Sequence, residues 1–73
     1  MQGTLLRGPK DGAVIKHVPD CVMETGNIYT EIHATPEIDV IYVEPGEFPK
    51  ARYELTNPQG GDPVFCFVEY STF

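Results

Sequence analysis

Proline and glycine, seven of each in 73 residues, punctuate this chain from end to end. Proline lacks the N–H that a helix interior needs, and glycine loses more backbone entropy there than any other residue. Breaks recur roughly every eight to twelve residues, a spacing that suits short strands joined by turns and leaves no window for a long helix. Between them lie GTLLR, AVIKHV, NIYTEIH, DVIYVE, ARYELT and VFCFVEY, all rich in β-branched or aromatic residues. The pattern predicts one all-β domain over residues 1–73. Its architecture is a small antiparallel sheet or partly open barrel of about five or six short strands, with room for one short helix in the middle segment.

The stretch GPKDG near the start is read as the corner of a hairpin. Pro9 pre-sets the first central φ, Asp11 suits a turn and Gly12 supplies a positive φ, with Gly8 opening the corner. A type I turn followed by a glycine bulge fits these residues. A phosphate loop does not fit, because Gly12 runs into Ala-Val-Ile, a strand signal, and no helix N-terminus follows. A second hairpin is expected across NPQGGDP, between ARYELT and VFCFVEY. In ARYELT, Tyr53 and Leu55 share one face against Arg52, Glu54 and Thr56. In VFCFVEY both faces are apolar, with Phe65 and Phe67 against Val64, Cys66, Val68 and Tyr70. That marks a central strand, or one covered by a partner chain.

A chain this short buries a thin core and commonly needs a staple or an associating partner. Self-association, most simply as a twofold dimer, is the expected remedy. No apolar run is long enough for a signal peptide or a membrane span, which predicts a cytoplasmic location with reduced thiols and no membrane partner. Cys21 and Cys66 are then read as small buried hydrophobes. Net charge is −6, and from Lys16 to Lys50 every charged residue is acidic: Asp20, Glu24, Glu31, Glu37, Asp39, Glu44 and Glu47. Nucleic-acid binding through phosphate neutralisation needs clustered cations and is disfavoured. A basic protein partner suits such a surface, as does plain solvation.

His17, Cys21, His33 and Cys66 are possible metal ligands, but no CxxC, HxH or HExxH pair groups them. With Ser71 they are also the only nucleophile and base candidates, and none lies in a catalytic motif. The expectation is no metal, no cofactor and no catalytic residue. The eight aromatic residues exceed what a small core hides completely. Tyr53, Phe65 and Phe67 are assigned to packing, leaving Tyr42, Phe48, Tyr70 and Phe73 as interface candidates.

LLRGPKDGAVIKHVPD at Leu5 to Asp20, with ARYELTNPQGGDPVFCFVEY at Ala51 to Tyr70, resembles short proteins of unknown function encoded by phages of actinobacteria. Those proteins open with a leucine-rich strand and a Gly-Pro-x-Asp-Gly turn. They close with a Tyr-x-Leu strand, a Gly turn and an aromatic strand. The resemblance covers about half the chain and implies a small β fold in a viral accessory protein of the host bacterial cytoplasm; it transfers no catalytic residue. The leading expectation is a non-enzymatic protein that binds a bacterial host protein through an acidic and aromatic surface. The residues assigned to that surface are Glu31, Glu37, Asp39, Tyr42, Glu44, Glu47 and Phe48. A virion structural or decoration protein is the alternative, and an oligomer that sequesters a small molecule is the next.

Overall fold

The computed structural model describes residues 2–38, 40–57 and 60–71. Its strands are β1 (Gly3–Leu6), β2 (Val14–Ile15), β3 (Asn27–Thr30), β4 (Ile41–Tyr42), β5 (Lys50–Leu55) and β6 (Val64–Ser71), with one helix, α1 (Asp20–Thr25). They form a single sheet in the order β2-β1-β6-β5-β3-β4. The sheet curls into a half-barrel. Five or six short strands in a partly open barrel is therefore the fold the chain adopts. It is mixed, because β1 and β6 run parallel while every other pair is antiparallel.

The alternation read from the sequence sets the two faces. Leu5 lies opposite Phe65, Leu55 opposite Phe65 from the other side, and Tyr53 opposite Phe67 and Ile28. Leu5, Ile28, Tyr53 and Phe65 are fully buried, and Ala13, Ile15, Val18, Val22 and Ala51 complete the core. Helix α1 lies at the start of the acidic middle segment. Pro19 is its N-cap, Asp20 opens the first turn, and the Gly26 N–H closes on the Val22 carbonyl at 2.7 Å. Only Val22 of its six residues is fully buried, with Met23 packed partly against the core beside it, so two neighbouring side chains hold the helix in place.

Two features depart from the simple alternation. Between Arg52 and Tyr53 the partner register on β6 jumps from Glu69 to Phe67, so Val68 is an extra residue in that strand. The bulge re-aims the side chains beyond it. Tyr70 consequently joins Phe67, ring centroids 5.0 Å apart, instead of lying with Cys66 on the opposite face as strict alternation requires. The cysteines also differ from expectation. Cys21 is exposed because α1 turns Val22 and Met23 toward the core, and Cys66 is half-buried on the outer face of β6; both are free thiols.

The Gly8–Gly12 corner is a turn, as its residues imply, followed by a second turn in which the Ala13 N–H bonds the Lys10 carbonyl at 3.0 Å, Gly12 takes φ 84° and its N–H bonds the Leu5 carbonyl at 2.8 Å. Gly8–Lys10 forms a single 3-10 turn with Pro9 in its first positions. Asp11 stabilises it by accepting the Arg7 N–H on its carboxylate. Gly8 adopts φ 65°, and a Cβ there would lie 2.5 Å from the Phe67 ring, so the corner packs face-on against β6. The Tyr53 hydroxyl then locks the corner to the centre of the sheet. It accepts the Lys10 N–H at 2.8 Å and donates to the Arg7 carbonyl at 2.7 Å. At the other hairpin, Asn57 accepts the Val64 N–H at 2.7 Å and donates to the Gly60 and Asp62 carbonyls.

Desolvation raises the Tyr53 pKa above the usual tyrosine value. The Lys10 N–H opposes that rise, while Asp11 and Tyr70 add to it. Neutral tyrosine is thus favoured in the fold, and stability from this group is full below pH 10 and lost as pH climbs from there toward the raised folded value. Tyr53→Phe, which strands the buried Lys10 N–H, should lower unfolding free energy by about 1–3 kcal/mol at neutral pH. Urea melts at neutral pH and above pH 10 check both points: the variant should show a shallower alkaline loss than the parent chain.

Candidate functional site

The residues that follow β3, together with β4 and the loop into β5, surround an open cleft of about 440 Å3. Glu31, Ile32, His33, Tyr42, Phe48, Pro49 and Lys50 line it. β3 lies between β4 and β5, so Tyr42, opposite Tyr29, and Lys50, at the start of β5, come to one end of the sheet. The segment between them, VEPGEFP, is held by its two prolines and by the lysine beneath it.

Lys50 is buried, only 6% exposed. Its ammonium lies 4.7 Å from the centre of the Tyr42 ring and 6.0 Å from that of Phe48, and it donates to the Phe48 carbonyl at 3.2 Å. An ammonium over aromatic faces gains electrostatically from the ring quadrupole, and more so where water is displaced. Gly46 passes close overhead at φ 68°; a Cβ there would lie 3.0 Å from Lys50 Nζ. The loop is thus folded around a cation. Its outward consequence is Phe48, the most exposed large hydrophobic residue among those described, at 73%.

A second lysine holds the neighbouring segment. Lys10, 3% exposed, sends its ammonium from the β1–β2 corner to Thr35 Oγ1 at 3.0 Å and to the Glu37 carbonyl at 2.8 Å. Thr35 N–H in turn bonds the His33 carbonyl at 2.9 Å, giving the loop after β3 a fixed turn. Neither lysine has a carboxylate partner among the described residues, and polar oxygens or π faces satisfy both.

Arg52 is half-buried and shared between Glu54 at 3.7 Å and Glu69 at 3.4 Å. Of the five lysines and arginines, Arg7 and Lys16 alone are exposed, and neither belongs to the cleft. The carboxylates facing solvent around the cleft therefore have no ion-pair partner among the described residues, while the Lys50 ammonium, itself in the cleft lining, offsets part of their field.

Of the residues assigned to a partner surface, Glu31, Tyr42 and Phe48 meet in the cleft. Glu44 and Glu47 stand exposed on the loop that carries Phe48. Glu37 does not line the cleft; it is exposed, and its backbone carbonyl serves the Lys10 tether. Asp39 and Phe73 lie outside the described residues. Ile32, His33, Pro49 and Lys50 were not assigned in advance. For Lys50 the only signal is its position directly after PGEFP, since its burial depends on rings brought in by β4. Among the described residues no three His, Cys, Asp or Glu side chains converge as a metal site. No helix among them is long and apolar enough to cross a membrane.

Comparison with protein-family models, curated proteins and solved structures finds no match to this chain.

Lys50→Met keeps the apolar stem and removes the charge. The expected result is a loss of about 1 kcal/mol in stability, with displaced Tyr42 ring resonances and a loosened Val43–Pro49 loop, read by thermal melts and NMR.

Proposed function

We propose that this chain is a non-enzymatic binding protein whose acidic and aromatic cleft engages a basic segment of another protein. The observation that carries this reading is Phe48, exposed at 73% yet held on a loop clamped around Lys50. An aromatic side chain left in water is a cost to the free protein, and a preorganised one loses little entropy on docking. Such anchors dominate interface energetics when a partner encloses them. Glu31, Glu44 and Glu47 around it select positive charge and speed encounter. The same field repels phosphate backbones and anionic headgroups.

The partner class follows from the resemblance to phage accessory proteins, which makes it a protein of the bacterial host cytoplasm. Binding to such a protein would occlude or alter a basic surface on it. The experiment is capture from host lysate followed by affinity measurement with the recovered protein. Phe48→Ala should weaken that affinity by about 2 kcal/mol, roughly thirtyfold in Kd. A Glu44→Lys, Glu47→Lys double variant should abolish capture and Glu24→Lys should preserve it. Equal binding by all three variants would defeat the proposal.

A further inference from the structure

The strand order leaves β2 and β4 as the two edges of the sheet, and the curl brings them to opposite sides of one gap. That gap is a depression of about 430 Å3 lined by Val14, Ile15, Lys16, His17, Ile38 and Ile41. Its floor is apolar: Ile15 belongs to the core, and Ile38 and Ile41 pack against it. Its lip on the β2 side holds Val14, 47% exposed, and the exposed Lys16 and His17.

Both edges are two residues long and each pairs on one side only among the described residues. The Leu5 N–H donates to the Ala13 carbonyl at 2.9 Å, which sets the phase of the β1–β2 ladder. Bonded residues alternate along such a ladder, so Val14, next after Ala13, directs its N–H and C=O away from β1. Those groups face the gap. At one end the gap is already spanned, because Lys10 reaches from the β1–β2 corner to Thr35 and Glu37 on the approach to β4. The rest of the seam has no such bridge among the described residues.

We propose that this seam receives an extended segment of a partner protein as a seventh strand, apolar toward Ile15, Ile38 and Ile41 and acidic where it passes Lys16 and His17. An extended strand supplies both things the seam lacks: backbone partners for Val14 on the β2 edge, and alternate side chains for the floor. A helix or an aliphatic ligand would cover the floor and leave the Val14 N–H and C=O without protein partners. Lys16 decides the charge. It is exposed, has no ion pair among the described residues, and is one of two exposed cations in a chain of net charge −6. This surface is separate from the Phe48 cleft and does not depend on it.

The probe is a displayed library of random peptides selected on the full chain. Enriched peptides should alternate apolar residues with Asp or Glu and shift the amide resonances of residues 14–17, 38 and 40–42. Val14→Pro removes the seam-facing donor while sparing the bonds to β1, and should weaken binding about tenfold. N-methylation of the peptide's bonded amides leaves the protein untouched and should cost the same. Lys16→Glu should turn the selected charge from acidic to basic, and Phe48→Ala should leave the selected peptides bound as before. Absence of enrichment, resonance shifts confined to the Phe48 cleft, or indifference to N-methylation would overturn the proposal. Concentration-dependent self-association that moves the same amides would overturn it in favour of a second copy of this chain.

Discussion

A single hydroxyl joins the two halves of this molecule. Tyr53 stands on β5 at the middle of the sheet, fully buried, and its oxygen is bonded on both sides to the corner between β1 and β2. The corner can come so close because Gly8 has no side chain to hold it off Phe67. Once it is there, the Lys10 side chain is aimed across the gap between the sheet edges, and its ammonium fixes the loop that leads into β4. A chain of hydrogen bonds thus runs from the central strand to the acidic segment. Buried polar groups satisfied in this way specify one arrangement, because every alternative leaves some of them unpaired.

Such tethers matter because the apolar core is small. Among the described residues nine buried hydrophobic side chains form it, and two of them are alanines. The middle of the chain contributes Val22 and Ile28, with Met23, Ile38 and Ile41 packed partly against it. What orders the remainder is two buried lysines. Lys10 is caged by oxygens and Lys50 by rings and a carbonyl. Neither buried ammonium forms an ion pair among the described residues. The two residues that organise the acidic segment thus leave its carboxylates without contact partners, while their own positive charge stays beneath it.

Much of the fold was legible from punctuation and alternation. Pro9, Asp11 and Gly12 located the first corner, NPQGGDP located the second, and the period of two put Tyr53, Leu55, Phe65 and Phe67 on one face. These are local signals, and each is decided by residues a few positions apart. The parallel pairing of β1 with β6 and the bulge at Val68 were not legible, since they depend on register between segments some sixty residues apart in one case and on a ladder mismatch in the other. The candidate site was half legible. Composition marked Tyr42, Phe48 and the glutamates as surface residues, and the sheet brings Glu31, Tyr42 and Phe48 together. The roles of Lys10 and Lys50 were hidden, because a lysine in a turn or at a strand start is ordinarily solvated and only tertiary contact reveals otherwise.

The central claim is that the acidic segment is a preformed surface, held by its two lysines before any partner arrives. Backbone 15N relaxation of the free protein tests this most directly at the amides of Glu47 and Phe48. Order parameters near 0.85, matching those of β5, are the expected result. Values below about 0.6 at those amides would contradict it, because a loop that mobile is not clamped on Lys50 and presents no fixed aromatic anchor.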